Sequence, residues 1–265
     1  MFSVVIPAYN CSKTIKRVLD SVFSQTRKDL IEEIIIINDG STDSTDQVIK
    51  DYMDKRKGIE IQYELQSNHG ASYTRNKAIR KAKGEWIALL DADDIWLANK
   101  IERQSEIINR MPDMVFLGSH YPVKFIFRRH KSGLYKLSAK LLCIRSMPTT
   151  PSVVFKKEIG IELGLYNERM RYCEDINFFQ KFLLKDSYYI LAEKLVDISI
   201  GKKYTAQSGV SSNLKKMAKG RDFNTVELQR MGLITKRFMM FMLFMNQIKY
   251  VKRLIQNRIS ALIFR

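Results

Sequence analysis

The first 110 residues alternate two hydrophobic periods, and that alternation limits the fold more than any other property of the chain. Phe2 to Ile6 is a short β-branched run, after which Ser12 to Gln25 places Ile15, Val18, Leu19, Val22 and Phe23 at helical spacing. Ile34-Ile35-Ile36-Ile37 is apolar on both faces, as a central parallel strand must be. It ends in Asn38-Asp39-Gly40-Ser41-Thr42-Asp43, turn residues leading into a helix that Asp43 or Ser44 can cap. Ile59 to Leu65 predicts a third strand, followed by a helix from Ala71 to Lys81; Trp86 to Leu90 predicts a fourth, followed by a helix over Leu97 to Met111. Strand and helix in this succession predict an α/β fold, a mostly parallel sheet with helices on both faces. Ligands of such sheets bind beyond the carboxyl ends of the strands. Those ends carry Pro7-Ala8-Tyr9-Asn10, Asn38-Asp39, Asn68-His69 and Asp91-Ala92-Asp93-Asp94, so polar and acidic clusters converge on one edge.

After residue 113 the alternation weakens. Val115 to Leu117 and Ser152 to Phe155 read as strands around the basic, aromatic segment Tyr121 to Arg145. Ile176 to Leu184 reads as helix, Tyr188 to Ile190 and Val196 to Ile200 as short strands, and Tyr204 to Asn213 as a loop. From Leu214 the pattern is helical and basic, which sets a main domain of residues 1–213 apart from a basic helical extension, 214–265.

The formal charge of +17 is concentrated in two places. Residues 114–157 hold nine Lys or Arg and no acid, and residues 202–265 hold fourteen against two acids. A hydrophobic share of 45% excludes a disordered or collagen-like chain. Cys11, Cys143 and Cys173 form no CxxC pair, which argues against a disulfide framework or zinc site and for a reducing cytoplasm. No basic leader precedes the first apolar run, so no signal peptide is expected. The longest apolar stretch, Phe238 to Met245, is eight residues, against the ~20 that cross a bilayer. Beyond it Ile248, Val251, Ile255, Ile259 and Leu262 recur at helical spacing among Lys249, Lys252, Arg253 and Arg258. That is a basic amphipathic helix suited to an anionic membrane surface, or else a helix packed on its own core with a solvated basic face.

Chemistry centres on Asp91-Ala92-Asp93-Asp94. Three carboxylates in four residues repel one another unless a cation neutralises them, and a hard ion such as Mg²⁺ or Mn²⁺ holding a diphosphate is one answer; a solvated, helix-capping turn is the other. Asp39 can accept hydrogen bonds from a base or ribose, or support an Asx turn at Gly40. Glu174-Asp175 opens an apolar helix, where acids are favoured by the dipole, and where a carboxylate can also serve as general base. His69 is a weak candidate for metal or phosphate, while Arg75 points a fixed cation at the same edge. G-x-S-x-G, P-loop, G-x-G-x-x-G and H-E-x-x-H motifs are all missing, which removes the main supports for a serine hydrolase, P-loop hydrolase, Rossmann dehydrogenase or zincin.

Val4-Val5-Ile6-Pro7-Ala8-Tyr9-Asn10, Asn38 to Asp43, Asn68-His69-Gly70 through Arg75-Asn76, Asp91-Ala92-Asp93-Asp94 and Glu174-Asp175 together resemble, in order and spacing, family 2 glycosyltransferases of the GT-A fold. The resemblance implies an inverting transferase that uses a UDP-sugar and Mn²⁺ or Mg²⁺. It implies nucleoside contacts from Pro7, Tyr9, Asp39 and Arg75, a ribose-side acid at Asp91, a metal ligand at Asp93, and a catalytic base at Asp175 with Glu174 beside it. It also divides the main domain into a donor half, 1–113, and an acceptor half, 114–213. Many relatives carry an Arg-x-His-like element near the position of Lys202-Lys203-Tyr204; its absence leaves Lys202 or Lys203 to hold phosphate. The QxxRW element of processive synthases is absent, which favours transfer of a single sugar. The expected acceptor is a lipid-linked saccharide of O-antigen or capsule assembly, with the protein peripheral on the inner face of the plasma membrane. A sugar-nucleotide nucleotidyltransferase shares the sheet and acids but needs a Gly-rich loop with lysine after the first strand. A nucleic-acid-binding module would use the positive charge, yet that charge lies away from the acidic edge and no reading motif accompanies it, so no nucleic-acid partner is expected.

Overall fold

The computed structural model describes residues 1–119, 133–145, 148–198 and 213–263. The first half follows the predicted alternation: β1 (Phe2–Ala8), α1 (Ile15–Phe23), β2 (Ile31–Asp39), α2 (Thr45–Lys55), β3 (Glu60–Gln66), α3 (Ala71–Lys81), β4 (Trp86–Leu89), β5 (Ile95–Trp96) and α4 (Lys100–Arg110). The second half adds β6 (Phe116–Ser119), β7 (Leu134–Lys136), α5 (Ala139–Ile144), β8 (Val154–Lys156), α6 (Lys157–Glu162), α7 (Glu174–Gln180), β9 (Tyr189–Leu191), β10 (Val196–Asp197), α8 (Leu214–Arg230) and α9 (Lys236–Ile263).

Eight strands form one sheet in the order β3-β2-β1-β4-β8-β6-β9-β7, and β5 pairs with β10 in a small ribbon. Strands β1 to β4 run parallel. The chain moves outward from β1 through β2 to β3 and then crosses to β4 on the other side of β1, which creates a switch point between β1 and β4. Strand β8 then enters antiparallel to β4 and β6, and β7 antiparallel to β9, so one sheet joins both halves of the chain.

Continuous apolar runs make sense in this sheet because alternate residues enter different layers. Val4, Ile6, Ile34 and Ile36 pack with α1, α2 and α4 on one face. Val5, Ile35 and Ile37 pack with Ala78 and Ile79 of α3 and Phe178 and Phe179 of α7 on the other. An aromatic knot of Phe116, Phe155, Phe178, Phe179 and Phe182 anchors α7, with Phe155 edge-on to Phe178 at 5.2 Å between centroids. A helix too short to hold its own shape is fixed by these rings.

Several boundaries differ from expectation for local reasons. Helix α1 begins at Ile15 rather than Ser12, because residues 9–14 form a loop that bonds to the turn after β2. The helical pattern from Ile176 to Leu184 divides into α7 and a tighter 3-10 turn over Lys181–Lys185. The apolar run Phe238 to Met245 and the amphipathic stretch after it are one helix, α9, set against α8 after a turn at Gly232 (φ 74°). Of the strand expected over Val196 to Ile200, Val196–Asp197 is present and residues 199–200 lie outside the described residues. So do residues 121–132 of the basic segment, Lys202, Lys203 and the loop expected from Tyr204.

Candidate active site

The edge at the carboxyl ends of β1 to β4 is assembled by hydrogen bonds between loops. Asn10, in the left-handed region at φ 47°, donates its N–H to Ser41 Oγ at 2.9 Å and accepts from the Thr42 N–H at 2.8 Å. Asp43 takes Ser12 Oγ at 2.7 Å and the Thr45 N–H at 3.0 Å, tying the loop after β1 to the start of α2. Burial works to raise the Asp43 carboxyl, but these bonds win and hold it at about 2. Ser44 occupies the N-cap position of α2 without a side-chain bond, so of the two residues able to cap, Asp43 supplies the oxygen. Thr14 Oγ1 donates to the Ala92 carbonyl at 2.7 Å and fixes the acidic loop after β4 to the same network. Pro7 is half-buried at the end of β1, and Tyr9, 53% exposed, stands beside it with its ring open to solvent.

Asp39 does not support the Asx turn that its neighbours suggest. Its carboxylate reaches across to the loop after β3, accepting the N–H groups of His69 and Gly70, each at 2.8 Å, and Gln66 Nε2 at 2.7 Å. Burial raises its pKa, but the hydrogen bonds outweigh burial and hold the group below the ordinary carboxylate range. The Thr74 hydroxyl adds to these bonds, so the protein itself occupies most of the carboxylate's roughly four acceptor positions. Gly40 next to it has φ 73°, and a Cβ there would lie 2.9 Å from Asn68 N; the loops meet this closely only with glycine. His69 is held locally, by Asp39 through its N–H and by Ser67 Oγ at 2.9 Å from its ring.

Gly70 opens α3, and α3 connects Asp39 to the acids on the other side of the switch point. Arg75, 7% exposed, donates Nη2 to Asp91 at 2.6 Å, approaches Glu174 with Nη1 at 3.5 Å, and lies over the Tyr166 ring at 5.4 Å. The protein thus already supplies one cation to the acidic loop, in the form of a guanidinium on Asp91. Arg75 joins the edge at the ends of β1 to β4 to α7 instead of projecting into solvent. Its Nε and Nη1 have no hydrogen-bond partner and are enclosed, an arrangement that persists because the charge is paired on two sides. Asp93 is half-buried on the same loop and Asp94 is buried.

Asp175 follows Glu174 at the start of α7, with one oxygen accepting its neighbour Ile176 N–H at 2.7 Å. Burial is the main influence and, with the charges of Glu174 and Asp91, pushes the carboxyl up to about 6 against the Ile176 N–H and Arg75. A carboxyl tuned toward neutral pH is suited to proton transfer.

Other residues build this site through partners distant in the chain, which the sequence alone does not show. Asn76 acts as a false strand edge: Nδ2 donates to the Tyr166 carbonyl and Oδ1 accepts the Tyr166 N–H, both at 2.9 Å. The turn before α7 places Cys173 at φ 58°, an uncommon conformation for a residue with a Cβ. Asn224 of α8 holds that turn, donating to the Cys173 carbonyl at 2.9 Å and accepting from Asn177 Nδ2 at 3.0 Å. One turn earlier, Gly220 brings α8 so near that a Cβ would sit 2.6 Å from the Tyr172 carbonyl oxygen.

Among the described residues no group of three or more His, Cys, Asp or Glu side chains is arranged to hold a metal ion. The rim offers the carboxylates of Asp91 and Asp93, hard oxygen donors of the kind that bind Mg²⁺ or Mn²⁺ by one or two protein ligands together with substrate phosphates. That donor chemistry fits an ion completed by its ligand.

A sheet with this switch point, carrying acids at the ends of β2 and β4 and a second acid pair across from them, has the architecture of GT-A nucleotide-sugar transferases. The sequence signature of Glycosyl transferase family 2 matches residues 3–162. The chain belongs to that family. It is 33% identical over 212 residues to an uncharacterised glycosyltransferase of Rickettsia typhi, covering 74% of this chain and 63% of the relative. It is 30% identical over 227 residues to one from Rickettsia prowazekii, covering 80% and 67%. The chain therefore spans a little under two thirds of the first of these relatives. In structure it is similar to Staphylococcus aureus TarS 1-349 in complex with UDP-GlcNAc, with a TM-score of 0.66 at 20% identity over 86% of this chain and 66% of that one. It is also similar to the mannosyltransferase PcManGT from Pyrobaculum calidifontis in complex with GDP-Man and Mn²⁺, with a TM-score of 0.63 at 16% identity over 86% and 64%. Among the described residues no helix is long and apolar enough to cross a membrane.

Proposed function

We propose that the chain is an inverting glycosyltransferase that moves one sugar from a UDP-sugar to a hydroxyl of a lipid-linked saccharide, in assembly of a surface polysaccharide such as O-antigen or capsule. The observation that carries this reading is Arg75, whose contacts with Asp91 and Glu174 bring the donor-edge acids and the Glu174-Asp175 pair to one rim. Tyr9 offers a face for the base, Pro7 shapes the floor beside it, and Asp39, held charged by the loop after β3, faces a base N–H. Asp91 faces the ribose. A divalent ion held by Asp93, Mn²⁺ or Mg²⁺, would supply positive charge to the departing diphosphate, and Lys202 or Lys203 would add to it. The acceptor oxygen attacks the anomeric carbon on the face opposite the nucleotide. The new C–O bond forms as the bond to the diphosphate breaks, the hydroxyl proton passes to the Asp175 carboxylate, and the nucleoside diphosphate leaves with the electron pair. In this reading residues 1–113 bind the donor and residues 114–213 the acceptor.

The structural likeness to proteins bound to UDP-GlcNAc and to GDP-Man with Mn²⁺ supports a nucleotide-sugar donor and a divalent ion. Helix α9 supports a membrane-associated acceptor. It exposes Phe241, Phe244, Ile248, Val251 and Ile255 on one face, with Arg237 and Lys252 flanking them, as an interfacial helix on the inner leaflet would.

The test is to incubate the protein with Mn²⁺, a panel of UDP-sugars plus GDP-mannose, and a sugar–diphosphate–lipid analogue, reading products by mass spectrometry. One UDP-sugar is expected to yield a singly extended product with inverted anomeric configuration. Turnover with GDP-mannose alone would overturn the choice of uridine, and folded protein inactive with every donor would overturn the transfer reaction itself.

A further inference from the structure

The C-terminal end of α5 and the helices α8 and α9 bring four cations to one place, none of them ion-paired among the described residues. Lys249 of α9 donates Nζ to the Ile144 carbonyl at 3.2 Å, which seats it at the end of α5 beside Arg145. Arg253 follows one turn further along α9. Arg221 of α8 lines a cavity of about 30 Å³ together with Cys143, Gln180 and Asn246. Asp222 at this junction is already engaged, accepting Asn246 Nδ2 at 2.9 Å and Gln247 Nε2 at 3.0 Å. Residues 120–132, 146–147 and 199–212 contain no Asp or Glu, so none of these segments brings a carboxylate to the cluster.

Burial lowers the Lys249 ammonium, and the charges of Arg221 and Arg145 lower it further despite Cys143. Burial likewise lowers Arg221, with Arg253 adding to it and Cys173 and Asp222 opposing. Like charges held together in this way destabilise the unliganded protein. The cavity also has unused polar atoms. Gln180, fully buried, has neither amide atom hydrogen-bonded, and Arg221 Nε is enclosed with no partner. A volume of about 30 Å³ takes a water or one oxygen of a larger group, not a whole phosphate. The larger group would therefore rest at the mouth, among Arg145, Lys249 and Arg253.

We propose that the α5–α8–α9 junction is a binding site for a phosphate anion, with Arg221 and Gln180 at its floor and Arg145, Lys249 and Arg253 around its mouth. The site borders Cys173, the residue before Glu174, and so stands next to the acid pair. Two molecules carry the required chemistry: the diphosphate joining sugar to lipid in the acceptor, which rests on the reading of the acceptor given above, and the headgroup of an anionic phospholipid.

Binding can be measured without turnover. Inorganic pyrophosphate, farnesyl diphosphate, and phosphatidylcholine vesicles with or without phosphatidylglycerol would be titrated against the full chain, with UDP binding followed in parallel. Wild-type protein is expected to bind at least one phosphate-bearing probe, more weakly as salt rises. Arg221→Gln is expected to weaken that binding about fivefold, the weight of one cation near an anionic surface, and to leave UDP binding unchanged. The double variant of the exposed pair, Arg145→Gln with Arg253→Gln, is expected to weaken it further and to unfold at an equal or higher temperature than wild type without ligand, since it relieves repulsion. Lys57→Gln, beyond the opposite edge of the sheet, should match wild type. Binding to the diphosphates assigns the site to the acceptor; binding only to phosphatidylglycerol vesicles assigns it to the headgroup. If no probe binds, or if the variants bind as wild type does, the site is overturned, and UDP binding with donor turnover would still stand as a separate result on the transferase reading.

Discussion

At the scale of single residues, the proposed transfer rests on two side chains. Asp175→Asn keeps the shape and removes the carboxylate proposed as base, and is expected to lower kcat by about 10²-fold or more while UDP affinity is retained; near-normal turnover would move the base elsewhere. The raised pKa gives this role a direction in pH. A base must be unprotonated to accept the hydroxyl proton, so kcat/KM is expected to fall as pH drops through about 6. A carboxylate at its ordinary value would keep nearly full activity down to about pH 5 and half of it near pH 4. Arg75 acts differently, because its removal leaves Asp91 and Glu174 facing each other with no cation between them. Arg75→Met is expected to cost about 3 kcal/mol of stability by urea unfolding, and an unchanged midpoint would show the two ion pairs to be unimportant. The sequence already named Asp175, Glu174, Arg75 and Asp91 as separate candidates. It did not show that Arg75 joins them, since a side chain's partner is fixed by packing and Asp91 and Glu174 are 83 residues apart in the chain.

At the scale of elements, strands and helices of the first half were legible and the supports of α7 were not. Ile34 to Ile37 announces a strand covered on both faces because every residue of it enters one core layer or the other. Asn224 announces nothing: it is one polar residue in a basic helix, and its value lies in touching a turn 51 residues earlier. Helix α8 lies beyond the segment that the family signature matches, yet Gly220 and Asn224 face the turn that carries Glu174 and Asp175. Asn224→Ala would leave Asn177 Nδ2 without its partner in a buried place and free the strained Cys173 turn. The expected result is a loss of about 1–3 kcal/mol in urea unfolding, with kcat falling more than the donor KM changes. If kcat is retained while stability falls, α8 braces the fold without positioning the acids.

For the whole molecule, charge and apolar surface are divided between opposite tasks. The acidic edge belongs to the parallel strands, whereas the excess of positive charge and the exposed apolar face of α9 belong to the segments after residue 113. Composition alone shows the excess of positive charge, but only the packing of α8 on α9 shows which residues of α9 stay outside. Met242 and Asn246 turn inward and are buried, while Phe241 and Phe244, the latter 65% exposed, remain in solvent with Ile248, Val251 and Ile255. An apolar strip of this length on a basic helix is costly to leave in water and well suited to a headgroup boundary. Because both phenylalanines lie outside the core, Phe241→Ser with Phe244→Ser is expected to change folding stability by no more than about 0.5 kcal/mol per site. The same pair would contribute about 1.5–3 kcal/mol each on entering lipid, so the variant is expected to lose at least about tenfold in binding to phosphatidylglycerol vesicles in flotation. Raising the salt should weaken what binding is left, because the remaining attraction comes from Arg237, Lys252 and their neighbours. Vesicle binding equal to wild type in the double variant would mean that α9 does not face the membrane, and that its exposed strip serves another contact.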